Sequence, residues 1–218
     1  MDNFDKLYEE EIMRINEGAF KSLATASALG IGALAGANNG AKEYNQTPAV
    51  QPRANDDFII NKTLPITKWA EGFREGVYED SEGIPSVGFG FNLRTAHIRK
   101  ELENVGYDIE NIKNRNEVVD EAKAEIVLKR LMVQALNDAK QFVNNFDELD
   151  PIAQIVLVDM SYNMGLTKLS KFKNFKSALE SQDYYSAKKE MIDSKWYTDV
   201  GRRSKRLVQL MDTLADRT

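Results

Sequence analysis

Apolar positions along the chain change their spacing several times, and each change predicts an element. Leu64, Trp69 and Phe73 recur at roughly helical spacing, with Thr63 as a candidate N-cap and Pro65 in the first turn. That helix is expected to end near Gly72 or Gly76. After Gly76 the period changes: Val77-Tyr78 and Ser86-Val87-Gly88-Phe89 read as short strands around a Ser81-Glu82-Gly83 turn. A short helix over roughly 95–104 follows, with Thr95 as its cap, and the Asn- and Gly-bearing residues 105–116 read as a loop. A long helix is expected over about 117–144. Its apolar stripe would be Val118, Ala122, Ile126, Leu131, Ala135, Leu136 and Phe142, and its wet face Glu121, Glu125 and Lys129. Asp150-Pro151 marks another start, a cap followed by Pro at the first helical position. Residues 152–160 are apolar on nearly every side, so this helix is expected at the centre of a core and to end at Gly165. Phe172, Phe175, Ala178 and Leu179 predict one more helix, and Tyr184, Ala187 and Met191 another. Ser194-Lys195-Trp196-Tyr197 reads as a loop, and a last helix opens at Gly201-Arg202-Arg203.

The N-terminal part has a different character. Residues 2–21 are acidic, with Phe4, Leu7, Tyr8, Ile12, Met13 and Ile15 marking an apolar helical face. Residues 22–41 carry no charge and are rich in Ala and Gly, a composition suited to close helix packing or weak interfacial binding. Residues 42–60 have the Pro, Asn and Gln content of a linker. The expected division is residues 1–57 as a helix and linker, and 58–218 as a folded domain.

Composition narrows the chemistry. The 218 residues are 42% apolar, enough for one or two small cores. A net charge of −5 offers no overall polycation for nucleic acid. No cysteine is present, which rules out a disulfide framework and thiolate chemistry. With a single histidine, His97, read as a surface or helix residue, no metal site is expected. No Walker or dinucleotide glycine pattern occurs, and no cofactor is expected.

The stretch from Glu71 to Phe91 carries the candidate chemistry. Glu71 falls in the last turn of its helix, where the negative end of the dipole favours a protonated carboxyl, the state a general acid needs. Asp80 lies where the first strand meets the turn, and Ser86 opens the returning strand. Two carboxyls in different surroundings plus a small hydroxyl suit glycoside hydrolysis. An ordinary acidic surface has the same spacing, and Glu75, Glu79 and Glu82 read as just that.

Glu71-Gly72-Phe73-Arg74, Tyr78-x-Asp80 and Glu82-Gly83-x-x-Ser86-Val87-Gly88-Phe89-Gly90 together resemble the signature of the phage-type lysozymes, or muramidases. Two further segments extend the resemblance: Ser161-Tyr162-Asn163-Met164-Gly165, and Trp196 followed after a short loop by Gly201-Arg202-Arg203. The resemblance implies an α+β, mainly α fold, with a small β-hairpin lobe and a helical C-terminal lobe joined by a long helix. It implies hydrolysis of the β-1,4 bond between N-acetylmuramic acid and N-acetylglucosamine, with peptidoglycan glycan strands as partner and a monomeric domain. Glu71 would be the general acid, Asp80 would orient water or stabilise the cationic transition state, and Ser86 would hold the water. Asn163 would bind sugar, and Arg203 would reach Glu71. Two departures stand out: Ser86 replaces the family Thr, and Phe91 replaces a His common after the second Gly, whose loss is expected to cost stability.

The resemblance leaves the role open between an endolysin delivered from the host cytoplasm to the wall and a lysozyme packaged in the virion. A wall-binding or structural virion module without strong catalysis is a different reading of the same fold, and a chitin-directed hydrolase would use the same chemistry. For residues 1–57, packing or tethering, a membrane anchor or signal, and a capsid-targeting leader stand side by side. The last rests on Ile15-Asn16-Glu17, which is similar to the trimming sites of some tailed-phage capsid proteases. Across residues 168–206 lysines and arginines outnumber acids, and a basic surface would steer a domain toward a polyanionic wall.

Overall fold

A helix with proline in its interior is the first element of the computed structural model, which describes residues 54–80 and 82–215. The expectations for residues 1–53 and for Ser81 lie outside them. Helix α1, Ala54–Glu71, is longer than the spacing of Leu64, Trp69 and Phe73 implies, and position 58 falls within it. Thr63 is therefore not a cap. Its hydroxyl donates to the Ile59 carbonyl at 2.8 Å, one turn back. Pro65 removes one helical N–H and costs about 3 kcal/mol in an exposed helix. Ile59, Ile60, Leu64 and Ile66 are all buried, and at about 1.5–3 kcal/mol per side chain their burial outweighs that penalty.

Gly72, at φ +70°, closes α1, its N–H donating to the Lys68 carbonyl at 2.9 Å. The chain then forms an antiparallel sheet in the order β1 (Arg74–Glu79), β2 (Pro85–Gly88), β3 (Phe91–Asn92). Tyr78 pairs with Ser86, and Ser86 with Asn92, so one face of the sheet carries these three residues. The register of β1 slips between Arg74 and Tyr78, around Gly76. Between β2 and β3 the chain reverses through Gly88 at φ +64° and Gly90 at φ +77°. A Cβ on Gly88 would lie 2.9 Å from the Phe91 ring, so this turn needs both the left-handed backbone and the missing methyl. Phe91 is buried, its ring edge-on to Phe89, which packs in turn on Phe73. A buried aromatic cluster thus occupies the place where a His would need a charged partner.

Helix α2, Ala96–Asn104, starts after Thr95, whose side chain makes no capping bond. The segment read as a loop contains a further helix, α3, Ile109–Lys113. Asp108 caps it by accepting from the N–H groups of Glu110 and Asn111, and Ile109 and Ile112 are buried beneath it. The long helix α4, Glu121–Phe142, is capped by Asp120. Its inward face runs through Ala124, Val127, Leu128, Met132, Ala135, Leu136 and Ala139. The expected stripe is right only in its second half: Ala122 and Ile126 are exposed, as is Val118 before the helix. One residue of shift turns a helix face by about 100°, so a stripe anchored on Val118 points away from the core. Glu121 and Glu125, on the wet face, both pair with Lys68 of α1, at 3.2 and 2.6 Å.

Helix α5, Pro151–Leu169, packs on α4 and α1, with Asp150 capping the Ile152 N–H at 2.8 Å. Ile152 through Ser161 are all buried, so α5 is the centre of the core. Gly165, at φ +71° and ψ 159°, breaks it as expected, and a final short turn reaches Leu169. Helices α6 (Lys173–Glu180), α7 (Tyr184–Ile192), α8 (Lys195–Val200) and α9 (Arg202–Ala215) complete the helical side. The segment 194–197, read as a loop, is the capped start of α8: Ser194 Oγ accepts from the Tyr197 N–H. The fold is α+β and mostly helical, with a small three-stranded antiparallel sheet among the described residues. No described helix is long and apolar enough to cross a membrane.

Gly88→Ala should destabilise the domain by about 1–3 kcal/mol, through a strained positive φ and the clash with Phe91. Urea unfolding measures this, and a variant as stable as wild type would rule out a positive φ and a close ring contact at Gly88.

Candidate active site

A carboxylate at the end of a helix needs something to hold it, and Glu71, the last residue of α1, is held from two directions. From below, Gly90 leaves room for it: a Cβ there would sit 3.2 Å from Glu71 Oε2 and 4.0 Å from the Tyr78 hydroxyl. From the side, Arg203 Nη1 of α9 donates to Glu71 Oε1. Arg203 is only 4% exposed, and its other donors go to Asp159 of α5, Nε to Oδ2 at 2.7 Å and Nη2 to Oδ1 at 2.9 Å. Asp159 is fully buried and also accepts from the Thr67 hydroxyl of α1 at 2.6 Å. Three helices therefore meet in one chain of bonds, Thr67–Asp159–Arg203–Glu71. Burial works against the guanidinium charge, but the Asp159 and Glu71 carboxylates more than offset it and hold Arg203 firmly protonated.

Arg202, next in the chain, is not simply solvated. Its guanidinium lies 4.7 Å from the Trp69 ring centroid and donates to the Trp69 carbonyl at 2.9 Å. This satisfies a backbone acceptor in the last turn of α1 and ties α9 to the same helix end.

Two tyrosines complete the surroundings of Glu71. The Tyr162 phenol on α5 is pushed well above its ordinary range by burial first and by the Glu71 carboxylate second, with Arg203 opposing. Tyr78 is raised by burial too, with Arg74 opposing and the charges of Glu71 and Asp80 adding. Both rings stay neutral and can donate a hydrogen bond.

Asp80 and Ser86 sit on the hairpin beside Tyr78. Asp80 Oδ1 accepts from the N–H groups of Glu82 and Ile84, at 2.8 and 2.9 Å, so one carboxylate oxygen builds the turn and Oδ2 lies outside these bonds. Ser86 is buried, with its hydroxyl 3.4 Å from the Ile84 carbonyl. A cleft of ≈ 440 Å³ opens beside Glu71, lined by Gly90 and Asn92 from the sheet, His97 from α2, Gln134 from α4, and Tyr162 and Asn163 from α5. Glu71 and Asn163 thus share the cleft wall. Asp80 and Ser86 lie off it, connected through Tyr78, and Arg203 stands behind Glu71. The structure therefore places Arg203 against the carboxylate rather than in the cleft, and Asn163 in it.

Trp196 Nε1, which can only donate, reaches Asn163 Oδ1 at 2.8 Å. This orients the amide, and the two Nδ2 hydrogens remain outside that bond. His97 is exposed on α2, and among the described residues no three His, Cys, Asp or Glu side chains gather as a metal site.

The sequence model described as Phage lysozyme matches residues 68–211. The chain belongs to the phage lysozyme family. It is 21% identical over 163 residues to "Probable T4-type lysozyme 1" of Dictyostelium discoideum, covering 71% of this chain and 96% of that protein. It is 22% identical to "Probable T4-type lysozyme 2" of the same organism, with the same coverage. It is also 27% identical over 157 residues to the "Pre-baseplate central spike protein Gp5" of Enterobacteria phage T4, covering 66% of this chain but 26% of that one.

In this member of the family, pattern reading finds Glu71 and Arg203 but misses what joins them. Asp159 leaves a signal: it is the one charged residue in the apolar run 152–160, and a charge there requires a partner. Thr67 leaves none, because its partner is 92 residues distant, and Tyr162 is marked only as part of the resembling segment, with nothing to show that Arg203 lies over its ring.

Arg203→Ala should cost about 3–5 kcal/mol of stability, because it strands the Asp159 carboxylate in the core. Denaturant unfolding reads the loss directly, and a change below about 1 kcal/mol would show that the pair is solvent-exposed rather than buried.

Proposed function

We propose that this domain is a glycoside hydrolase of the muramidase type, cleaving the β-1,4 bond between N-acetylmuramic acid and N-acetylglucosamine in peptidoglycan. The observation that carries the reading is the placement of Glu71 on the cleft wall, with Gly90 beneath its Oε2 and Arg203 on its Oε1. In its protonated form Glu71 gives its proton to the leaving glycosidic oxygen. Arg203 then stabilises the carboxylate that remains, without shifting, since Asp159 already fixes it. Asp80 and Ser86 act from the hairpin on water at the far face of the sugar, giving inversion of configuration. Ser86 supplies the hydroxyl of the family Thr without its methyl, so its rotamer is freer. Asn163, oriented by Trp196, presents amide hydrogens to a sugar in the cleft.

Similarity to a T4 protein named as a central spike favours a virion-borne lysozyme over one released late from the host cytoplasm. In that reading residues 1–57 attach the domain, and residues 58–218 form the catalytic part.

Clearing of purified peptidoglycan by the full chain tests the proposal. Glu71→Gln should lower the rate by 10²–10⁴-fold with the helical circular dichroism unchanged, the range expected for a lost general acid. Asp80→Asn should do nearly as much damage. Full activity in Glu71→Gln would sink the assignment. An inactive wild type with a normal spectrum would favour a wall-binding module.

A further inference from the structure

Asp159 lies outside the cleft and is fully buried, yet it holds two of the donors of the arginine that touches Glu71. We propose that Asp159 is a positioning residue of the active site: it balances the charge of Arg203, so that the guanidinium can orient Glu71 without trapping it as a carboxylate. The inference rests on the reading of Glu71 as general acid.

The argument is one of charge balance. Arg203 alone would present a full, desolvated positive charge to Glu71, and such a neighbour strongly favours the ionised carboxyl. A general acid in that state has no proton to give. With Asp159 ionised, Arg203 and Asp159 form a net-neutral pair, and Glu71 faces an oriented N–H donor in place of a bare cation. The geometry allows both jobs at once. The fork of the guanidinium meets Asp159 through Nε and Nη2, and Nη1 is left for Glu71. The Thr67 hydroxyl, 2.6 Å from Oδ1, adds a third donor that supports the charge on Asp159.

The other groups facing these carboxyls cannot take over the role. Tyr78 and Tyr162 remain neutral. Arg74 lies over the Tyr78 ring, and Arg202 is engaged at Trp69. Asp80, on the hairpin, adds a negative charge of its own near Tyr78. His97 and Asp138 line the same cleft from α2 and α4, the first exposed and the second half-buried, and water in the open cleft screens them.

The test is the pH–activity profile of peptidoglycan clearing by the full chain, wild type beside Asp159→Asn, each checked by thermal melting. With Asp159 neutralised, the alkaline limb should move to lower pH by roughly one unit or more, with activity recovered on the acid side. A purely structural role would lower the melting temperature and leave the limb in place, and that result would overturn the inference. If Asp159→Asn does not fold, Thr67→Val takes its place: it removes a donor to Asp159 and leaves Arg203 and Glu71 intact. The alkaline limb should then move in the same direction, and an unmoved limb would overturn the proposal. Failure of the wild type to clear peptidoglycan, or full activity in Glu71→Gln, would instead remove the reading on which the inference rests.

Discussion

A charged guanidinium at 4% exposure imposes the tightest constraint in this fold. Removing such an ion from water costs several kcal/mol, and the cost is offset only when counter-charges and hydrogen bonds surround it in good geometry. Arg203 meets that demand with carboxylates from two other helices, Asp159 in the middle of α5 and Glu71 at the end of α1. Thr67 adds a bond from α1 to Asp159. The start of α9, the centre of α5 and the last turn of α1 therefore have one arrangement in which every member is satisfied. The position of Glu71 follows from that arrangement as much as from its own helix.

The sheet side reaches the same point through turn chemistry instead of charge. Gly88 and Gly90 let the chain fold back at positive φ, and the space left by the missing side chains is filled by the Phe91 ring at one and the Glu71 carboxylate at the other. Asp80 gives one oxygen to the hairpin backbone, so the turn is rigid where the carboxylate is displayed. The cleft lies where these two kinds of order meet. Its walls are built by a sheet edge, α2, α4 and α5, and no one of these elements supplies it alone.

Pattern reading succeeded where local chemistry and burial agree. Asp150-Pro151 started α5, Gly165 broke it, and an apolar run placed it at the core. It failed where a distant contact overrode the local signal. Pro65 suggested a helix start, yet four buried aliphatic side chains carry α1 straight through it. Segments 109–113 and 195–200 are too short for periodicity to register, and their caps, Asp108 and Ser194, were the only local marks. The stripe of α4 was misplaced in its first half because Val118 and Ile126 are apolar but exposed, at 57% and 49%.

The order and spacing of Glu71, Asp80, Ser86, Gly88, Gly90, Asn163 and Arg203 are properties of the sequence, and so is the family they point to. Backbone chemistry explains why: glycines at fixed offsets and a carboxylate at a helix end act over a few residues and leave a local signature. The tertiary structure alone decided that Asp159 shares Arg203 with Glu71, that Trp196 turns the Asn163 amide, and that Phe91 joins an aromatic cluster. Those contacts join residues up to 132 positions apart. The energy that selects them comes from excluding water around groups that the chain brings together only when it is folded.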